Sequence, residues 1–199
     1  MPRTEEQFQG IREKSRSLIL QTALKLFAQK GYHGTSIADI AKEAGISKGL
    51  AYNYFGSKLE LIEAVIQQLE VEVGKMFVDM ETLSDPYDKL KFFIEVTLNS
   101  IRDNEEFWLL YFGISLQKDV LAISQRLMGN FIEEVFKMLE ELFAEIGIKE
   151  PYTEARIFAS ILDGIGVHYV YNKAHYPLEE VKLQLIKKYS PEGLSHLKK

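Results

Sequence analysis

Residues 34–58 read GTSIADIAKEAGISKGLAYNYFGSK, and this stretch decides the fold of the first part of the chain. Ser36 is suited to cap a short helix, because its oxygen accepts a free amide hydrogen and Asp39 can answer three residues later. Gly45 allows the left-handed backbone of a tight turn, and Ser47 is suited to cap a second short helix. This spacing predicts a helix-turn-helix, whose second helix enters the DNA major groove.

The predicted second helix carries groups that suit DNA. Lys48 offers a cation to phosphate, Gly49 permits close backbone approach, and Asn53 can hydrogen-bond a base edge. Leu50 faces outward, where it can touch a thymine methyl group. An ordinary helical hairpin with surface Tyr and Lys remains the alternative.

The rest of the chain shows the helical period of 3.6 residues and no sustained period of two. We therefore predict an all-α fold of nine helices. Gly31 and Gly147 are expected to stop helices, Ser57 and Glu60 to form a capping box, and Pro86 to open a helix after Asp85. The predicted helices cover roughly residues 11–30, 36–43, 47–53, 58–83, 86–103, 105–116, 118–146, 151–174 and 177–189.

The composition excludes several classes of protein. The 199 residues include no cysteine, which rules out a disulfide scaffold, cysteine-ligated zinc and thiol catalysis. The N-terminal MPRTEEQFQG is polar, so no signal peptide is expected. No apolar stretch reaches the roughly 18 residues that a membrane span requires. We expect a cytoplasmic protein that does not interact with membranes.

The charge is unevenly distributed along the chain. Residues 1–58 hold nine Lys and Arg against five Asp and Glu, a net charge of +4. The remaining 141 residues hold 15 basic and 24 acidic residues, a net charge of −9, and together these give the overall −5. Such asymmetry suggests different partners for the two parts. We place a boundary after Ser57 and predict a DNA-binding domain at 1–57 and a ligand-binding and dimerisation domain at 58–199.

Several motifs together resemble the TetR family of bacterial transcriptional regulators. They are Ala-x-x-Leu-Phe-x-x-x-Gly-Tyr at 23–32, Thr-Ser-Ile-x-x-Ile-Ala at 35–41, Ala-Gly-Ile-Ser-Lys-Gly at 44–49 and Tyr-x-Tyr-Phe-x-Ser-Lys-x-x-Leu at 52–61. The resemblance implies a regulator that binds a double-stranded DNA operator. The DNA contacts that it implies fall on Ser36, Ala38, Ser47, Lys48, Gly49, Leu50, Tyr52, Asn53, Tyr54 and Lys58.

Two positions depart from the usual pattern of the family. Leu50 and Ala51 stand where members usually carry a small polar residue and a large aliphatic one, and Tyr54 stands where His is common. We therefore expect the base-edge readout to differ from that of better-known members. The cations Arg3, Arg12, Lys14 and Arg16 are candidates for a basic arm that reaches the neighbouring DNA backbone or minor groove.

Aromatic side chains are concentrated in the acidic part of the chain. Phe107–Phe112 alone holds four aromatic residues in six, which suits either a helical core or a small-molecule pocket. TetR-like proteins carry such a pocket, and its occupancy relieves DNA binding. The resemblance thus implies a small-molecule effector, for which the candidate lining residues are Phe92, Val96, Trp108, Tyr111, Phe112, Met128, Phe131 and Tyr169.

The segment ARIFASILDGIGVHYVY at 155–171 resembles the next-to-last helix of the family, which pairs with the last helix across a two-fold axis. The resemblance implies a homodimer, a palindromic operator and most often a repressor. The expected interface residues are Ile157, Phe158, Ile161, Leu162 and Ile165. Packing of this segment inside one chain is the alternative.

The sequence also offers three rival interpretations: an enzyme, a metal-binding protein and a DNA-architectural protein. Gly45–Gly49 matches G-x-S-x-G, but a nucleophile elbow requires a preceding strand and here a helix is predicted. His168 and His175 lie seven residues apart and suggest a metal site, although isolated helical histidines are mostly surface groups. A DNA-architectural protein would not need a large acidic, aromatic domain. We therefore expect no enzyme activity, no metal and no cofactor.

Overall fold

The computed structural model describes residues 5–198, apart from the side chains of residues 5, 6, 8, 69, 72, 73 and 75–77. Nine α-helices and a short 3-10 helix account for the described elements, which confirms the all-α prediction. The helices are α1 Glu5–Lys30, α2 Ile37–Glu43, α3 Lys48–Tyr54, α4 Lys58–Glu81, α5 Pro86–Asp103, α6 Glu105–Ser115, α7 Lys118–Ile146, α8 Pro151–Tyr171 and α9 Leu178–Lys188.

The predicted start and stop signals hold at most helix ends. Gly31 and Gly147 have φ values of +77° and +89°, as expected for residues that follow a helix C-terminus. Asp85 caps α5 by accepting from the amides of Tyr87 and Asp88 at 2.8 and 3.1 Å, with Pro86 in the first turn.

Three predicted boundaries and one predicted cap need correction. The first helix begins at Glu5 instead of near residue 11. α8 ends at Tyr171 instead of near residue 174, because the Asn172 amide bonds back to the carbonyls of His168 and Tyr169. Pro177 precedes α9 as its cap instead of opening it. At α4 the Ser57 hydroxyl accepts from the Glu60 amide, but the Glu60 carboxylate accepts from Gly56 at 2.7 Å, so the capping box is only half formed.

The chain divides into two compact units. The first comprises Met1–Leu69 with Leu110–Leu127, and the second comprises Glu70–Leu109 with Met128–Lys199. Helices α4, α6 and α7 each run from one unit into the other. The first unit thus contains the predicted DNA-binding segment and also a later piece of chain. None of the helices in residues 5–198 combines the length and apolar character that a membrane crossing requires.

Each unit has its own buried core. In the first unit, Phe27 of α1 and Ile40 of α2 are fully buried, and Phe55 closes the end of α3 at 2% exposure. In the second unit, Phe158 of α8 is the central ring, with centroids 5.7 Å from Phe93, 5.7 Å from Phe143 and 4.7 Å from Tyr189. The Tyr189 hydroxyl donates to the buried Glu154 carboxylate at 2.9 Å.

Candidate nucleic-acid interface

The α2–turn–α3 segment is built by local capping. The Ser36 oxygen accepts from the Asp39 amide at 3.2 Å, and the Asp39 carboxylate accepts from the Ser36 amide at 3.0 Å, which completes a capping box. Hydrogen bonds from Ser36 lower the pKa of the Asp39 carboxyl below its ordinary value, so the carboxylate is ionised at neutral pH. Gly45 turns the chain at φ +67°, and the Ser47 oxygen accepts from the Leu50 amide at 3.1 Å.

The inner faces of the two helices pack against each other through small and β-branched side chains. Ile37, Ala41 and Ala51 form a buried cluster, and the half-buried Ile46 of the turn packs against it. Small residues at 41 and 51 let the helix backbones approach closely. The arrangement fixes which side of α3 faces solvent.

The outer side of α3 presents the residues that the sequence indicates for DNA. Lys48, Gly49 and Asn53 are exposed, and Leu50 and Tyr52 are 38% and 46% exposed. The Lys48 ammonium lies 5.8 Å from the centre of the Tyr52 ring, one helical turn away. These side chains form a cationic and aromatic surface along the outer side of a short helix.

The remaining candidate contacts are placed less uniformly. Ala38 is exposed, Tyr54 is half-buried, and the Ser36 hydroxyl is bonded to Asp39. The Ser47 hydroxyl accepts one bond and keeps its own hydrogen to donate. Ser47 is therefore better prepared than Ser36 to bind a phosphate.

Lys58 does not extend toward the outer side of α3. Its ammonium donates to the carbonyl of Tyr32 at 2.7 Å and to that of His33 at 3.4 Å, and it lies 4.5 Å from the centre of the Tyr32 ring. These contacts hold the α1–α2 turn against the start of α4. A phosphate contact by Lys58 would require these bonds to break.

The basic arm is helical in the part that the structure describes. Arg12, Lys14 and Arg16 are exposed on α1, so they do not form an extended strand, and Arg3 lies outside the described residues. The Arg16 guanidinium carbon lies 5.3 Å from the centre of the Phe55 ring, just after the C-terminus of α3. Arg16 is thereby held beside the helix-turn-helix by a cation–π contact.

The candidate effector residues are divided between the units. Tyr111 and Phe112 belong to the first unit, and the other six belong to the second. Met128 and Tyr169 are buried at 3% and 5% exposure, whereas Phe92, Val96, Trp108 and Phe131 are half-buried. The Trp108 indole nitrogen donates to the Ser100 hydroxyl at 3.3 Å. Their role in ligand binding stays a prediction.

The five expected interface residues fall on both sides of α8. Phe158, Leu162 and Ile165 are buried inside the chain, with Phe158 fully enclosed. Ile157 is 45% exposed and Ile161 is half-buried. A helix that buries one face against its own core leaves only the other face for a second copy, so Phe158 and Leu162 are core residues in this structure. Period alone could not distinguish the two faces, since both are apolar.

Sequence reasoning did not identify Arg156, which also lies on this side of α8. The Arg156 guanidinium carbon lies 3.6 Å from the centre of the Tyr152 ring and 4.7 Å from that of Phe136. The signal was present, because Tyr152 and Arg156 are four residues apart and neighbours on a helix surface.

Comparison with known proteins identifies the family. The family described as "Bacterial regulatory proteins, tetR family" matches residues 19–65, which include the whole helix-turn-helix. The HTH-type transcriptional regulator YxaF of Bacillus subtilis is 33% identical over 145 residues, covering 72% of this chain and 75% of that protein. The chain belongs to the tetR family of bacterial regulatory proteins.

Two further similarities agree with this membership. The HTH-type transcriptional regulator YuxN of Bacillus subtilis is 29% identical over 164 residues, and the match spans 55% of the length of YuxN. The crystal structure of the transcriptional regulator FadR from Bacillus subtilis in complex with stearoyl-CoA has the same fold. It superposes with a TM-score of 0.72 at 18% identity and covers 89% of this chain and 98% of FadR.

Membership of the tetR family excludes the enzyme interpretation. Its relatives are regulators and not enzymes, and the serine of Gly45–Gly49 caps a helix. Among the side chains that the structure describes, no group of three or more His, Asp or Glu is arranged to hold a metal ion. His168 instead stacks on Tyr176 with centroids 6.5 Å apart, and His175 bonds to Asn172 at 3.2 Å.

Replacing Lys48 with alanine in this tetR-family regulator tests the exposed surface of α3. We expect weaker binding to every DNA sequence and a fall of about one unit in the slope of log affinity against log salt, because one phosphate contact is lost. Lys25→Ala, a lysine on α1 with a 45% exposed side chain beside Glu43, is the matched control and should leave the slope unchanged. The measurement is a fluorescence titration between 50 and 200 mM salt. An unchanged slope in the Lys48 variant would remove Lys48 from the phosphate contacts.

Proposed function

We propose that this tetR-family protein is a homodimeric repressor that binds a palindromic operator and is released from it by a small-molecule effector. The exposed Lys48–Tyr52–Asn53 surface on a rigidly capped α3 carries the proposal. Two such helices on one dimer would read half-sites about 34–36 Å apart, one DNA turn from each other. Operator contacts are assigned to the outer side of α3, with Arg16 on the adjacent backbone.

An accessible apolar face on α8 supports the dimer. Tyr152 is 54% exposed and Ile157 is 45% exposed, and on α9 Leu183 is 62% exposed. An open groove of about 450 Å³ runs along this side of α8, lined by Tyr152, Thr153, Arg156, Ile157, Ser160 and Ile161. Exposed apolar side chains on the last two helices suit a self-complementary contact with a second copy.

The aromatic residues of α5, α6 and α7 support an apolar effector. Six of the eight candidates are only half-buried, so they retain surface that a ligand could cover. FadR, which shares the fold, was crystallised with stearoyl-CoA, a long acyl thioester. We take an acyl chain as the first effector class to test. A quaternary ammonium ion is the second, because aromatic faces attract cations and the 59–199 segment is acidic.

The effector would act through a helix that both units share. α4 begins at Lys58 beside the helix-turn-helix and continues past Leu69 into the second unit. A ligand that displaces the distal part of α4 would reorient the DNA-binding segment. Moving the equilibrium from 1:99 to 99:1 requires the ligand to prefer one state by about 5.5 kcal/mol.

Selection of bound duplexes from a random pool at fixed salt tests the operator. A palindromic product with half-sites one turn apart is expected, and a product without symmetry would contradict the dimeric mode of binding. Stearoyl-CoA and choline are then titrated separately against the selected complex.

A variant pair on α6 tests the effector residues. Trp108→Ala should reduce release of DNA by the active compound at least about tenfold, whereas Leu109→Ala, at a 45% exposed neighbour, should not. Equal responses in both variants would remove Trp108 from the effector site.

A further inference from the structure

The C-terminus of α1 is closed in an unusual way. Gly31 follows the helix with φ +77°, the geometry of a Schellman motif. In that motif the amide of Tyr32 would donate directly to the carbonyl of Phe27. Here the Tyr32 amide donates to Oε1 of Gln117 at 3.0 Å, and Nε2 of Gln117 donates to the Phe27 carbonyl at 3.2 Å. One carboxamide, 85 residues further along the chain, bridges the two groups.

Gln117 lies in the turn between α6 and α7, and this turn makes other contacts with the same region. Nε2 of His33 lies 2.7 Å from the Asp119 carboxylate. A Cβ built on Gly113 of α6 would lie 3.9 Å from the Ala28 Cβ of α1. Residues before and after Gln117 thus also contact the C-terminal part of α1 and the turn that follows it.

The α1–α2 turn is therefore held from two directions. Gln117 binds the Tyr32 amide, and the Lys58 ammonium binds the Tyr32 carbonyl at 2.7 Å. Residue 32 precedes Ser36, the cap of α2, by only four positions. The path of the chain into the helix-turn-helix therefore depends on both hydrogen bonds.

We propose that Gln117 is a positioning residue for DNA binding: its carboxamide replaces a backbone hydrogen bond of the α1 C-terminus and so makes the geometry of the helix-turn-helix depend on the position of the α6–α7 turn. Phe27, Tyr32 and Gln117 all belong to the first unit. This positioning role rests on the proposed function.

Gln117→Leu is the direct test, because leucine is similar in size and removes both hydrogen bonds. We expect affinity for the selected operator to fall about tenfold, with the salt slope unchanged because no phosphate contact is lost. Gln125→Leu, an exposed glutamine on α7 in the same unit, is the matched control and should bind as the wild type does. Hydrogen exchange of the Tyr32 amide should accelerate in the Gln117 variant alone.

An engineered disulfide provides the rescue. Ala28→Cys with Gly113→Cys places two Cβ atoms at about the 3.8 Å that disulfides favour, in a chain that has no other cysteine. Oxidation of this pair in the Gln117→Leu background ties α6 back to α1 and should restore most of the lost affinity. Reduction should remove the gain. A residue that contacts DNA directly would not be rescued in this way.

The outcomes separate this proposal from the proposed function. Wild-type affinity in Gln117→Leu, or a loss that the oxidised pair does not repair, would overturn the positioning role while leaving operator binding intact. Failure of the wild-type chain to select any DNA would overturn the proposed function. In that case hydrogen exchange still tests the contact made by Gln117. An unchanged exchange rate of the Tyr32 amide in Gln117→Leu would overturn the hydrogen-bonded bridge, and a faster rate would support it.

Discussion

Phe158→Ala is expected to lower the free energy of unfolding by about 4 kcal/mol, because it empties the centre of the aromatic core of the second unit. Phe158 is fully buried and lies against Phe93, Phe143 and Tyr189, with centroids within 5.7 Å. Alanine would remove the ring contacts and leave a cavity that three large neighbours cannot close. Urea unfolding followed by circular dichroism measures the change.

Ile157→Ala is the matched control for this variant. It lies one position earlier on α8 and is 45% exposed within one chain, so we expect a loss of about 1 kcal/mol, which includes any contact with a second copy. Adjacent residues of similar chemistry would then differ by several kcal/mol. Comparable losses at 157 and 158 would mean that α8 is rotated relative to the present structure.

Ile157→Asp is expected to make the protein monomeric and to lower operator affinity by at least about 100-fold. A two-fold interface repeats each substitution, so two carboxylates would enter the same apolar contact. Two linked heads bind about 10²–10⁴ times more tightly than one, and this advantage is lost in a monomer. Light scattering at micromolar concentration and titration of the selected operator measure the two effects.

The control for the dimer is Val71→Asp on α4, a 56% exposed apolar residue away from α8 and α9 in sequence. It should remain dimeric and bind the operator normally. Ile157→Asp should also keep the wild-type helical signal in circular dichroism, since the side chain is half in solvent within one chain. A dimeric Ile157→Asp protein with full affinity would place the two-fold axis elsewhere.

The local structure was predictable where a few neighbouring residues determine it. The caps at Ser36 and Ser47 and the left-handed Gly45 follow from the chemistry of their own side chains, and all three are confirmed. Helix ends set by weaker, distributed preferences shifted by several residues, as at α1 and α8. Such ends depend on which backbone groups find partners after packing.

The arrangement of side chains in the site was less predictable. Lys58 follows the family pattern, yet its ammonium turns to the carbonyl of Tyr32, 26 residues away in sequence. Gln117 carries no motif, and its partners Phe27 and Tyr32 lie some 85–90 residues earlier. Contacts of this separation leave no periodic trace in the chain. The buried and accessible faces of α8 were equally hidden, because both are apolar.

The discontinuous first unit limits how this protein can be recombined with its relatives. A fusion joint after Ser57, or even after Leu69, would transfer the helix-turn-helix without Leu110–Leu127. In such a fusion, the α6–α7 turn would come from the relative. The Tyr32 amide and the Phe27 carbonyl would then lose their hydrogen bonds to Gln117. A chimera with a relative should therefore exchange residues 110–127 together with the N-terminal segment, because both belong to the same compact unit.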